Sequence, residues 1–406
     1  MTIDTLTSLL EQQAGKRGKQ VAIRHKQLGV WQVSHWSDVY REVQTLADTL
    51  RRYGFSHGDQ LVLLSHPRPQ ALLISLAAQW LGGVAVPLDL LADRKQIQTL
   101  LQKLNPAYVF AEGQEEVELL NNVGLKPTLV VYADARGLSG NQQRGVVDYS
   151  TISEINASRS SNFAQSTAQA TDRAFVFYRL DVTGNIQLQS ISHHELLSEG
   201  RILVTREHLT HKEEALAARA FAASGHARYL LAPWLQAGFR LNFPENLVTR
   251  DNDRRELGPT LVAGTRQTYQ RLESLVLERL PQIGTWRRKW IDRVLALNHS
   301  QRTSTLFFSL SLQRLLDYWL VIRPLRDVIG FSRTRVPLLV GEPLSVNTER
   351  FYLALGIEVR NWVEPMHWQV LDLDATEQGR LGVLSHQGQS SNEENSPTFN
   401  VAGVNA

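Results

Sequence analysis

A stretch without a single charged side chain, Pro69 to Leu88, constrains this chain more than any other feature. It is close to the length that a bilayer span requires, about 20 residues. Gly82-Gly83 and Pro87 nevertheless divide it into a helix-like part, Gln70 to Leu81, and a strand-like Val84-Ala85-Val86. A buried helix feeding a buried strand has this form, and the membrane reading is rejected. The alternation runs through the first 150 residues. From Val39 to Tyr53 the apolar positions Val39, Val43, Leu46, Leu50 and Tyr53 fall at helical spacing, with Gly54 as the stop. Gly58-Asp59 then turns the chain into a short apolar strand, Leu61 to Leu64. Ala107 to Ala111 and Thr128 to Tyr132 are further strands, each entered through a proline-containing turn. Helices alternating with strands predict an α/β fold with a largely parallel sheet covered by helices.

Residues 155 to 172, rich in Ser, Ala, Asn, Gln and Thr without apolar periodicity, read as a linker or domain boundary. A second α/β region follows to about residue 370. Its helices are predicted over Gln267 to Leu280, with Tyr269, Leu272, Val276 and Leu280 in register, and over Trp286 to Leu297, with Trp290, Val294 and Leu297. From Leu371 the Ser-, Asn- and Gln-rich sequence has no core pattern and reads as a polar, disordered tail. The expected units are 1–160, 161–370 and a tail over 371–406. With 43% apolar and 20% charged residues in 406, wholly disordered, collagenous and multi-spanning classes are excluded. The lack of cysteine excludes disulfides, thiolate metal sites and cysteine nucleophiles. The first twenty residues include Asp4, Glu11, Lys16 and Lys19 and lack the uncharged core of a secretory signal, so a cytoplasmic location is expected.

Several segments, taken in order, carry a family resemblance. They include Ala22-Ile23-Arg24, Gly29-Val30-Trp31, Trp36-Ser37-Asp38, Gly58-Asp59 and the run Ala77 to Leu88. Ala237-Gly238-Phe239, Phe243-Pro244-Glu245, Gly258-Pro259-Thr260 and Gly341-Glu342-Pro343-Leu344-Ser345 follow. Over most of residues 15 to 360 the chain resembles the large N-terminal domain of the adenylate-forming acyl-CoA synthetases, especially the bacterial long-chain type. The resemblance implies layered β-sheets flanked by helices, with the family's small C-terminal domain absent.

The family's phosphate loop reads Tyr-Thr-Ser-Gly-Thr-Thr-Gly-x-Pro-Lys-Gly. Small residues there let backbone N–H groups and hydroxyls wrap the ATP phosphates while the lysine supplies charge. The stretch that aligns without a gap is Tyr178-Arg179-Leu180-Asp181-Val182-Thr183-Gly184-Asn185-Ile186-Gln187-Leu188, then Ser192-His193 and Leu196. Asp181 replaces a glycine and adds a negative charge beside anionic phosphates, and Gln187 replaces the lysine. Tyr178, Thr183 and Gly184 remain as a vestigial nucleotide site, with Thr183-Gly184 favoured as a turn kept for its backbone geometry. The family's Tyr-Gly-x-Thr-Glu motif falls on Val363-Glu364-Pro365-Met366-His367, where no position is kept. Its ribose-binding aspartate, hinge and C-terminal lysine are not located in Leu371 to Ala406.

Other positions take a functional and a structural reading side by side. Gly341 and Glu342 match the segment that lies along adenine in the family and are read as a retained turn. Arg266 and Tyr269 match the border of the acyl pocket, with helix-start packing as the alternative. Ser192-His193-His194-Glu195, Ser65-His66 and His25 receive structural roles, because adjacent histidines diverge and no Ser/His/Asp arrangement emerges. No metal site is expected. From Trp286 to Arg335 ten Lys or Arg face three Asp, a net +7, among Trp286, Trp290, Phe307, Phe308, Tyr318 and Trp319. Trp286, Arg287, Arg288, Lys289 and Trp290 suit an anionic membrane or a partner surface, but a solvated basic face over core tryptophans is the favoured reading, since a surface helix looks much the same without a membrane. No nucleic-acid motif accompanies the charge.

The sequence therefore reads as a degenerate acyl-CoA synthetase-like protein that uses no cofactor and acts by binding, scaffolding or regulation. An unidentified protein partner, a fatty acyl ligand and an anionic membrane surface are the candidates for what it binds. One alternative is an active ATP- and magnesium-dependent long-chain fatty acid–CoA ligase or acyl-adenylate synthetase completed by a partner. Another is a membrane-peripheral structural protein.

Overall fold

The computed structural model describes residues 4–138, 145–152, 163–301, 312–362 and 368–371. Val363 to His367, Phe307, Phe308 and the expected tail beyond Leu371 lie outside the described residues.

The uncharged stretch becomes the helix Pro69–Trp80 and the strand that follows it. Proline opens the helix at a position whose N–H has no intrahelical partner. Every residue from Ala71 to Trp80 is buried, so the helix is apolar all round because it is covered all round. Its two interior polar side chains bond to the backbone, Ser75 Oγ to the Ala71 carbonyl (2.6 Å) and Gln79 Nε2 to the Ala174 carbonyl (2.7 Å). Gly82 ends it at φ +72°, and a Cβ there would stand 2.2 Å from the His57 ring, so only glycine fits.

The first seven strands are β1 (Val21–Gln27), β2 (Val30–His35), β3 (Gln60–Leu64), β4 (Val84–Pro87), β5 (Tyr108–Ala111), β6 (Leu129–Tyr132) and β7 (Val146–Asp148). After them come β8 (Arg173–Leu180), β9 (Ile186–Ser192), β10 (Glu214–Leu216), β11 (Arg240–Phe243), β12 (Leu261–Gly264), β13 (Val336–Val340), β14 (Arg360–Trp362) and β15 (Gln369–Val370). One sheet has the order β14-β13-β12-β10-β11-β1-β2 and the other β15-β9-β8-β4-β3-β5-β6-β7. Pairing is parallel except for β1 with β2, β8 with β9 and β9 with β15. The boundary expected at residue 160 does not separate the sheets. β8 and β9 lie beyond it yet extend the sheet of β3 to β7, while β1 and β2 lie before it and join β10 to β14.

Burial on both faces of the second sheet follows from strand periodicity. Leu61 and Leu63 of β3 enter the cluster shared by the two sheets, whereas Val62 and Leu64 enter a cluster on the opposite face. Tyr108 and Phe110 of β5 divide from Val109 and Ala111 in the same way. Each such side chain contributes about 1.5–3 kcal/mol from burial. A third cluster, built on Tyr269, Leu272, Val276, Phe331 and Tyr352, fills the side of the first sheet near β12 and β13. The expected linker is irregular over its described part but well anchored. The Trp80 indole N–H donates to the Ala164 carbonyl (3.0 Å), and Thr167 N–H donates to the Trp80 carbonyl (2.9 Å).

Candidate functional site

The loop joining β8 to β9 is closed by its own acidic residue. Asp181 Oδ1 accepts from the Thr183 N–H (2.9 Å), the Thr183 hydroxyl (2.6 Å) and the Asn185 N–H (2.9 Å). These bonds, the Thr183 hydroxyl first, hold the Asp181 carboxyl below the usual aspartate range. Gly184 turns the chain at φ +84° and donates to the Asp181 carbonyl (3.1 Å), and Asn185 Nδ2 donates to Thr183 Oγ1 (2.9 Å). Converging amides of this kind make an anion nest, and here a carboxylate from the same loop occupies it. Lys103 Nζ donates to the Gly184 carbonyl (3.1 Å). Gln187 accepts from Arg179 Nε (2.9 Å), and that guanidinium lies 4.1 Å from the centre of the Trp368 ring. Tyr178 stands on β8 with its hydroxyl directed to Gln60 (3.4 Å) and its ring against the outer cluster. Ser192 and Glu195 cap the helix His193–Arg206 reciprocally. His193 is fully buried and accepts from Leu6 N–H (3.3 Å).

The remaining candidate residues fall in three places. Arg266 and Glu342 meet as an exposed ion pair at 3.4 Å, which brings the expected acyl-pocket and adenine segments together. Gly341, at φ +94°, turns the chain after β13 beside Glu342. Tyr269 does not line an open pocket. Its ring is fully buried between Phe331 and Tyr352, its hydroxyl donates to the Leu338 carbonyl (3.0 Å), and the Tyr352 hydroxyl donates to its carbonyl (2.7 Å). Periodicity placed Tyr269 on the inward face of helix Arg266–Leu277, and packing makes that face core. The basic helix Trp286–Gln301 splits the five residues proposed on it. Trp286 is 68% exposed beneath the Arg287 guanidinium, and Lys289 is exposed. Arg288 pairs with Asp292 (2.9 Å), while Trp290 is half-buried and donates to Asp317 (3.0 Å).

A crevice that sequence reading passed over lies where five parallel strands end. The residues after β3, β4, β5, β10 and β11 line two adjoining cavities of about 230 and 60 Å³. Glu112 accepts from the His66 backbone N–H (2.7 Å) and contacts its Nδ1 (3.0 Å), and Arg68 lies 3.9 Å from the same carboxylate. The bond to Glu112 raises the His66 pKa, whereas burial lowers that of nearby His25 to about 4. The available signal is positional: in parallel sheets ligands gather beyond the carboxyl ends of strands.

The AMP-binding enzyme family matches residues 10–364. The chain belongs to this family. Its fold is that of the N-terminal adenylation domain of the adenylate-forming superfamily. The adenylation–carrier didomain of a carboxylic acid reductase from Segniliparus rugosus, solved with AMP, superposes with a TM-score of 0.67 at 12% identity, over 90% of this chain and 53% of that one. The N-terminal domain of FACL13 from Mycobacterium tuberculosis gives 0.59 at 14%, over 88% and 75%. MatB from Rhodopseudomonas palustris, without ligand, gives 0.59 at 16%, over 89% and 59%. These likenesses establish fold alone. A comparison with curated proteins returns no match.

Within this AMP-binding domain the residues present do not fit a nucleotide phosphate at the β8–β9 loop. The inward donors of the loop already serve Asp181, and the position of the family's lysine holds Gln187. Among the described residues no group of three or more His, Asp or Glu is placed to hold a metal ion, and no helix is long and apolar enough to cross a membrane.

Proposed function

We propose that this member of the AMP-binding family is a catalytically degenerate acyl-CoA synthetase-like protein that works by binding, not by adenylating an acid. The observation that carries the reading is the Asp181 carboxylate seated in its own loop, where it accepts the amides of Thr183 and Asn185. An anion entering this loop has to displace a carboxylate held by three hydrogen bonds and then sit beside its charge. Electrostatic placement around phosphates dominates catalysis of this type, so losing the site removes turnover. Purified protein given ATP, magnesium and a fatty acid is expected to release no pyrophosphate. Turnover within the ordinary enzyme range of about 1 to 1,000 per second overturns the reading. Asp181→Gly is the informative variant, because it frees both amides and is expected to create measurable binding of tripolyphosphate where the native chain has none.

The exposed Trp286, together with Arg287 and Lys289, favours an anionic membrane surface as one thing bound. Sedimentation with phosphatidylserine vesicles is expected and is lost on reversing Arg287 and Lys289 to glutamate. Equal sedimentation of the reversed variant removes this reading.

A further inference from the structure

The crevice at the carboxyl ends of β3, β4, β5, β10 and β11 has the parts of a ligand site and no assigned role. Its two cavities share His66, Pro67, Ala218 and Leu247, so they adjoin across these residues. Two cationic or cation-forming groups face it with donors left unused. Arg250 makes no hydrogen bond or ion pair among the described residues, and it lines the smaller cavity with His66. Glu112 fixes the His66 ring through Nδ1, which leaves Nε2 with no hydrogen bond among the described residues. The carboxylates on the rim are committed elsewhere. Asp89 accepts from the Leu91 amide (3.0 Å), Glu245 from the amides of Leu28 (2.9 Å) and Gly29 (3.2 Å), and Glu112 from His66. The larger cavity is walled by Pro67, Pro244, Leu247 and Val248.

We propose that this crevice binds a small amphiphilic anion, one anionic group on a short apolar body, with the anionic group between Arg250 and His66. A guanidinium fork and one ring N–H supply donors for the oxygens of a single head group, and the apolar walls take the body. The larger cavity, about 230 Å³, is below the usual size of a site for a drug-sized ligand and suits a single alkyl chain. The site is separate from the β8–β9 loop and from Arg266, so it holds whether or not the protein turns over ATP.

The test is a ligand-observed NMR titration of the full chain with octanoate and octyl sulfate, with octanol and octyltrimethylammonium as controls. Both anions are expected to bind saturably, and neither control is. Arg250→Gln is expected to weaken octanoate binding about tenfold or more, the usual worth of a charged hydrogen bond. Val248→Asp, at a side chain 91% exposed and therefore tolerant of change, is expected to weaken it by repelling the body of the ligand. Arg266→Gln is expected to leave binding unchanged. Octanol binding as well as octanoate, native-like affinity in Arg250→Gln, or loss confined to Arg266→Gln each overturns the proposal, as does the absence of saturable binding.

Discussion

The two ends of the first sheet differ in how completely their charges are matched. At the amino ends of its strands three carboxylates are buried and paired. Glu214 lies 2.5 Å from Arg240 and 3.5 Å from Arg24, Glu213 lies 2.5 Å from Arg335 and accepts from the Thr260 hydroxyl (2.6 Å), and Glu207 pairs with Arg360. At the carboxyl ends Lys26 still pairs with the buried Asp253 (2.9 Å), but Arg250 makes no hydrogen bond or ion pair among the described residues and the Arg266–Glu342 pair is exposed. A buried ion pair that is fully matched holds strands in register and offers a ligand nothing. Unmatched cations over an apolar floor do the reverse. The same α/β framework therefore leaves its less completely matched cation at the carboxyl ends, where parallel sheets commonly bind ligands.

Stability measurements can break this contrast. Glu214→Ala strands Arg24, Arg240 and one bond of the fully buried Asn242. Breaking a buried pair typically costs about 3–5 kcal/mol, and the roughly one-third exposure of both arginines puts this case at the lower end, about 2–3 kcal/mol by urea unfolding. Arg250→Gln at the opposite end is expected to stay within about 0.5 kcal/mol. Equal losses at the two ends would show that both are structural.

Titration sharpens the contrast by a smaller margin. Burial lowers His193 to about 4 and His226 to about 3, from an unfolded value of 6.5. Between pH 6.5 and about 4 the unfolded chain binds more protons than the native state, so stability falls as pH drops through that window. His66 acts with the opposite sign. The hydrogen bond to Glu112 raises its pKa, so its contribution is complete below pH 6.5 and is lost as pH rises through the native value. Melting temperature followed against pH is expected to lose part of its acid limb in His193→Gln and to keep that limb in His66→Gln. Identical profiles for the two variants would count against separate roles.

Much of the fold was legible because periodicity and breakers act locally. The uncharged stretch gave a helix and a strand within one or two residues, and Val39, Val43, Leu46 and Leu50 all face inward on helix Trp36–Arg52. The departure of the β8–β9 loop from the family's phosphate-loop sequence was legible as composition, through Asp181 and Gln187. Its consequence was not, because only coordinates show the Asp181 oxygen meeting the Thr183 and Asn185 amides. Tyr269 was ambiguous for a physical reason: a pocket wall and a core both ask for an inward aromatic at helical spacing. The crevice escaped because its lining comes from five loops remote in sequence, which only the folded sheets bring together. Sheet membership was not legible around residue 160, because composition marks a loop, whereas distant pairing decides which sheet a strand joins.

That distant pairing has a consequence for how the molecule is made. β1 joins the parallel part of its sheet only through β11, with Ile23 opposite Leu241 and His25 opposite Phe243. During synthesis the β1–β2 hairpin emerges with one edge open, and its partner strand follows more than two hundred residues later. At ribosomal rates of about 5–20 residues per second that is a wait of roughly ten to forty seconds. An isolated hairpin is marginal in water, and an open edge recruits other chains. Shielding of the first strands during translation is therefore expected to raise soluble yield, and a nascent chain arrested before Arg240 is expected to aggregate more readily than the full chain.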